Sequence, residues 1–165
     1  MIIRAETETA PEQAALAALV TRAFATAQVA SGTEAEVLAR LRESGALSLS
    51  LVAEEAGQLV GQIAASPATI GGAEGWACLG PLSVVPEAQG RGIGSALMRA
   101  ALAQLAARGA AGAVLVGEPA YYGRFGFVAD PAVVLAGVPA RYVLVRPLAG
   151  PTPAGALVCA PALMP

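Results

Sequence analysis

Gln89-Gly90-Arg91-Gly92-Ile93-Gly94-Ser95 is the stretch on which the reading of this chain turns. Before it, Gly80 to Val85 reads as the end of a strand. After it, Ile93, Leu97, Ala101 and Leu105 fall four apart, which predicts a helix over Ile93 to Arg108 with one buried face. Gly90, Gly92 and Gly94 leave the intervening backbone N–H groups uncovered at the point where that helix begins. Free amides and the positive end of the helix dipole together favour a phosphate, and Arg91 adds a full charge. A phosphate-bearing ligand is the expectation.

The bulk composition sets bounds on the rest. With 165 residues, 56% hydrophobic and 13% charged, the chain suits one compact domain, read here as residues 1–165. Apolar runs stay short of the roughly 20 residues of a membrane span. Met1 to Glu6 lacks the basic-then-apolar plan of a signal peptide, so a cytoplasmic location and no membrane partner are expected. A net charge of -2 with scattered arginines argues against nucleic acid. Cys78 and Cys159 give neither a metal spacing nor a redox pair and read as separate reduced thiols.

Absences narrow the chemistry further. There is no histidine, and neither lysine nor asparagine occurs in the sequence. That removes a histidine-based triad, a histidine metal site, a Walker lysine and Schiff-base chemistry. Proton transfer is left to glutamate, Asp130, tyrosine, cysteine, the backbone and water.

Periodicity and turn residues give an element order. Met1 to Thr7 reads as a strand, Pro11 to Thr26 and Glu34 to Arg42 as helices. Leu47 to Glu54 and Leu59 to Ala68 form a hairpin around Ala56-Gly57, and Trp76 to Val85 completes a meander. On simple alternation, Trp76 and Cys78 share a face with Leu82 and Val84. The helix after the glycine turn leads to Ala113 to Val116, a buried run read as parallel to the preceding strand. Pro119 to Arg124 reads as a short helix, with late strands at Phe127 to Ala129, Tyr142 to Val145 and Leu157 to Cys159. The expected fold is α+β, a mixed and mostly antiparallel sheet flanked by helices, with one β-α-β crossover at the glycine turn. A dinucleotide fold fits poorly, since the third glycine arrives one residue early and the motif lies past mid-chain.

Leu82-Ser83-Val84-Val85-Pro86-Glu87-Ala88-Gln89-Gly90-Arg91-Gly92-Ile93-Gly94-Ser95 resembles motif A of the GCN5-related N-acetyltransferases, Gln/Arg-x-x-Gly-x-Gly/Ala after a strand and a proline. Tyr122-Gly123-Arg124-Phe125-Gly126-Phe127 resembles the same family's Tyr-x-x-x-Gly-Phe. The resemblance covers Leu47 to Phe127 closely. It implies acetyl-CoA as co-substrate, no metal, and transfer of the acetyl group to a small-molecule amine or peptide acceptor. The cofactor diphosphate would lie on Gln89, Gly90, Arg91, Gly92, Ile93, Gly94 and Ser95, and its pantetheine arm along Leu82, Ser83 and Val84. Tyr122 matches the family's proton donor to the leaving thiolate. Many members carry an asparagine after the strand that follows the helix, whereas this chain has Glu118-Pro119 there. The base for the acceptor amine is open among Glu54, Glu55, Glu118 and water, and a non-catalytic acyl-CoA-binding or regulatory domain of the same fold is the alternative. An acceptor pocket is expected between Thr26 to Glu34 and Ala129 to Arg141, and a homodimer is possible in this family.

Overall fold

A computed structural model describes residues 1–25 and 33–164. The meander forms as the turn residues demand. Strands β2 (Leu49–Glu55) and β3 (Gln58–Ile70) pair antiparallel around Ala56 and Gly57, which adopt φ of 50° and 76°. Gly71 and Gly72, at 56° and 82°, close the next hairpin onto β4 (Ala73–Val84). Two successive positive φ values give a turn whose twist matches the strands it joins. β1 (Ile2–Ala5) adds antiparallel to β2 at the edge.

The crossover follows. Helix α3 (Ile93–Ala107) leads into β5 (Gly112–Val116), which pairs parallel to β4. α3 buries Ile93, Leu97, Met98, Ala101 and Leu105, the spaced face read from sequence plus one methionine. It lies close on β3 at Gly61, where an added Cβ would stand 3.0 Å from Leu97 Cδ1 and 3.2 Å from Ile93 Cγ2. A Cβ there would require Leu97 and Ile93 to give by a few tenths of an ångström.

β8 (Val143–Pro147) continues the sheet antiparallel to β5, and β6 (Val128–Ala129) pairs with β8. Two short strands, β7 (Val133–Val134) and β9 (Gly155–Val158), pair parallel to each other, and β9 docks beside the far end of β3. β7 was not legible in the sequence. Its two residues are too few to show a period.

Helices α1 (Ala10–Phe24) and α2 (Glu34–Glu43) bury Leu16, Leu19, Val20, Ala23, Leu38 and Leu41. Ala15, beside Leu16 in the same helix, is exposed. Among the described residues, no helix is long and apolar enough to cross a membrane.

One reading from simple alternation is corrected. Ile63 pairs with Leu82 and Ala65 with Leu79, so β3 advances two residues while β4 advances three. The extra residue is a bulge at Gly80-Pro81, and it reverses the alternation. Trp76 and Cys78 therefore face away from Leu82 and Val84, into a second core with Ala68, Ile70, Val114, Val143 and Leu157. Gly112 makes room for Trp76. A Cβ there would stand 2.4 Å from the indole.

Candidate active site

Parallel pairing between β4 and β5 stops at Cys78 and Val114. Beyond that point the strands part, and β4 from Leu79 to Val84 has a free edge among the described residues. Its amides can be assigned a side. Val85 N–H donates to Val60 O on β3 at 2.9 Å. Successive strand amides point in opposite directions, so Val84 N–H faces the gap.

Past Val84 the chain makes a single 3₁₀ turn, Pro86–Ala88, and enters the glycine stretch. Gly90 and Gly92 hold φ of 76° and 80°, a region that other residues enter only with strain. Gly92 is the N-cap of α3 and has no side chain with which to cap it. The first backbone bond into the helix is Ala96 N–H to Gly92 O, 3.0 Å. The N–H groups of Ile93, Gly94 and Ser95 thus have no backbone partner among the described residues, as at any helix start. The first turn of α3 carries no acidic residue, whereas α1 has Glu12 and α2 has Glu34 and Glu36. The amide row is uncovered and opposed by no carboxylate of its own helix.

These amides line a groove of about 340 Å³, bounded by Val84, Ala88, Gln89, Gly90, Gly92, Ile93, Gly94, Ser95, Tyr121 and Arg124. Seven of the ten residues named from the sequence for the cofactor are among them. Three are not. Ser83 is buried, its hydroxyl accepting from Gln62 Nε2 at 2.9 Å, and Leu82 packs against the core. Arg91 turns outward, its guanidinium bound by both oxygens of Glu55 at 2.7 and 2.9 Å. Gln89 lines the groove and also donates from Nε2 to Val84 O, 3.0 Å, tying the turn to the strand end.

Sequence reasoning missed three groove residues, Ala88, Tyr121 and Arg124. Arg124 donates from Nε to Tyr121 O at 3.0 Å and lies over the Tyr121 ring at 4.5 Å. Tyr121 itself reaches α3, its hydroxyl 3.2 Å from where a Cβ on Gly94 would stand. The short helix α4 (Pro119–Tyr122) continues as a 3₁₀ turn over Gly123–Phe125 and sends the adjacent tyrosines apart. Their rings meet edge to face, 4.9 Å between centroids at 86°. Tyr122 turns to the end of β5, where its ring fills the space a Gly117 side chain would need, 2.4 Å away. It packs against Phe127 at 6.2 Å. Burial, and then the neighbouring Tyr121, push the Tyr122 phenol above its ordinary pKa of 10.0, so it keeps its proton at neutral pH.

The family follows from comparison with known proteins. Residues 46–129 match the acetyltransferase (GNAT) domain model. This chain belongs to the GNAT acetyltransferase family. Among curated proteins it is similar to the uncharacterized N-acetyltransferase YhbS of Escherichia coli K12, 39% identical over 99 residues, covering 59% of each. It is also similar to YjhQ of the same strain, 37% identical over 114 residues, covering 66% of this chain and 62% of that protein. The match thus spans about six tenths of the length of these relatives. Among solved structures, a GNAT family acetyltransferase from Brucella melitensis in complex with acetyl-CoA superposes with TM-score 0.86 and 41% identity, over 98% of this chain and 96% of that one. Escherichia coli YhbS in complex with CoA gives 0.85 and 31%, over 98% and 90%. The fold is the GNAT fold, a mostly antiparallel mixed sheet flanked by helices, with the parted strands beside the glycine turn.

The carboxylates considered as bases divide. Glu54 pairs with Arg4 at 3.3 Å and Glu55 with Arg91, so both are engaged in ion pairs. Glu118 is exposed at the start of α4, where its carbonyl accepts Tyr121 N–H and Tyr122 N–H at 3.1 and 3.0 Å. Among the described residues no cluster of His, Cys, Asp and Glu could hold a metal.

On the other side of the parting lies a separate cavity of about 260 Å³. Cys78 and Cys159 both line it. Read as unrelated thiols, they lie side by side in the second core. The contact with Cys159, together with burial, holds the Cys78 thiol well above its ordinary range, and Cys159 is pulled down by Cys78. Their proximity could not be read from positions 81 apart in sequence, because β9 reaches β3 only through the tertiary fold. Of the expected pocket segments, 26–32 lies outside the described residues, while Glu34 and Leu135 line the cavity.

Proposed function

We propose that this protein is an acetyl-CoA-dependent N-acetyltransferase acting on a primary amine by direct attack on the thioester. The observation that carries the reading is the uncovered amide row at the head of α3, in line with a free strand edge. One surface of main chain can hold both ends of a nucleotide-linked thioester. The diphosphate rests on the amides of Gly90 to Ser95. Pantetheine amides pair with the outer edge of β4 as an added strand would. The two relatives crystallised with acetyl-CoA and CoA support the choice of ligand.

In this reading the amine nitrogen forms a bond to the thioester carbon, and the carbonyl electrons move onto oxygen. Val84 N–H stabilises that oxyanion. The oxyanion collapses, the C–S bond breaks, and the thiolate takes a proton from a phenol. The ammonium proton passes to water or to Glu118. Tyr122 is the proton donor by its place in the motif, and its raised pKa keeps the proton available. Tyr121 is the second reading, favoured because its ring, not that of Tyr122, borders the groove.

Release of CoA thiol, followed with a panel of primary amines, tests the function and separates the tyrosines. The expected result is turnover with at least one amine, and a loss in kcat on the order of 100-fold for Tyr122→Phe against less than threefold for Tyr121→Phe. The reverse ranking makes Tyr121 the acid. Tight acetyl-CoA binding with no turnover on any amine would leave a non-catalytic acyl-CoA-binding domain.

A further inference from the structure

We infer that the acceptor is a compact primary amine with an apolar body, an alkyl- or arylalkylamine, and that it is held in the cavity facing away from α3. This rests on the acetyl-transfer reading and adds the class of acceptor. The cavity begins where the strands part. Leu79, Gly80 and Pro81 come directly after the last β4–β5 pair, and Val116 ends β5. Phe24 from α1, Val37 from α2 and Leu135 after β7 complete the wall. A thioester running along the β4 edge from Gly94 meets the parting from one side. A ligand in this cavity meets it from the other.

Two features set the ligand's chemistry. The first is the character of the walls. Phe24 packs on the main core but is only half-buried, Val37 is half-buried outside both cores, and Val116 is 51% exposed, so apolar surface is left facing the cavity. Val37 belongs to the apolar stripe of α2, yet Leu38 and Leu41 alone enter the core. Among the described lining residues Glu34 is the one formally charged side chain. A second cationic centre on the ligand would be desolvated against Leu79, Leu135 and Phe24 without a partner. The second feature is size. At about 260 Å³ the cavity falls just under the range of roughly 300–1,000 Å³ usual for drug-sized ligands. A six-carbon chain or a single aromatic ring on a short arm suits that volume, and a sugar oligomer does not.

The test compares hexylamine and 2-phenylethylamine with putrescine and spermidine in the thiol-release assay. Each amine is also titrated calorimetrically onto the CoA-saturated protein. We expect kcat/KM for the apolar amines to exceed that for the polyamines at least tenfold, and calorimetric affinity to rank the same way. Leu135→Asp should raise KM for hexylamine at least tenfold while KM for acetyl-CoA stays within twofold. Turnover of polyamines equal to or above that of alkylamines would overturn the inference and leave acetyl transfer standing. If no amine is turned over, the acetyl-transfer reading fails, and the titration alone decides the cavity: hexylamine heat that Leu135→Asp abolishes supports an apolar amine site, and its absence overturns it.

Discussion

The two hollows on either side of the parted strands are built in different ways. The groove beside α3 is made mainly of consecutive main chain, Ala88 to Ser95, with side chains from α4 closing one wall. The apolar cavity takes its lining from α1, α2, β4, β5 and the C-terminal segments. In the proposed function the first recognises a feature common to every molecule of its ligand class, a diphosphate, and backbone amides are enough for that. As the inferred acceptor site, the second has to distinguish one amine from another. Discrimination requires side chains, and those come from segments distant in sequence.

This contrast can be broken most sharply at Gly92. Gly92→Asp forces a Cβ into the left-handed region and sets a carboxylate where the diphosphate would lie. Acetyl-CoA Kd is expected to rise at least ~100-fold, about 2.7 kcal/mol, in a protein whose circular dichroism is unchanged. Binding within threefold of wild type would show that the amide row is not the anchor. A smaller effect separates the two arginines. Arg124→Ala should raise KM for acetyl-CoA about tenfold, ~1.4 kcal/mol, with kcat within twofold. Arg91→Ala, whose side chain is held by Glu55, should change KM less than threefold. If Arg91 has the larger effect, the cofactor draws it away from Glu55.

The smallest effect concerns neither hollow. Glu12 accepts from Arg4 Nη2 at 2.6 Å, from Thr7 Oγ1 at 2.9 Å and from Thr7 N–H, joining α1 to β1. Chiefly through the Arg4 bond, its carboxyl is lowered from 4.5 to about 2. A depressed carboxylate pKa stabilises the fold fully above the ordinary carboxylate range, and that stabilisation is lost as pH falls toward 2. Glu12→Gln is expected to cost roughly 1–2 kcal/mol, or about 2–8 °C in Tm at neutral pH, and to flatten the acid limb of the Tm profile. Acetyl-CoA KM and amine selectivity should both be unmoved. A change in either would mean that the β1–α1 contact is coupled to the sites.

Legibility in the sequence followed the same division. The two hairpins could be read because Ala56-Gly57 and Gly71-Gly72 sit between apolar runs of strand length. The crossover could be read because the face of α3 repeats every four residues. The α3 groove was readable at Gln89, Gly90 and Gly92 to Ser95, since its geometry depends on local φ values, whereas the outward turn of Arg91 to Glu55 was not. Tyr121 and Arg124 were missed there. No spacing rule says which of two adjacent tyrosines turns toward a helix that starts as far back as Ile93. The facing of Trp76 and Cys78 was misread because Gly80-Pro81, a pair that marks a bulge inside a strand, was read through as regular alternation, and a bulge of one residue inverts every side chain beyond it.

By itself, then, the sequence determined the glycine turn at the head of α3, the order of the elements and the exclusion of histidine and lysine chemistry. These are matters of local backbone freedom, periodicity and inventory. Only the tertiary structure decided the parting of β4 from β5, the pairing of Cys78 with Cys159, and the apolar walls that Phe24, Val37 and Leu135 present together. Contacts between distant segments depend on register and on how the helices settle against the sheet, and neither is encoded within any one stretch of chain.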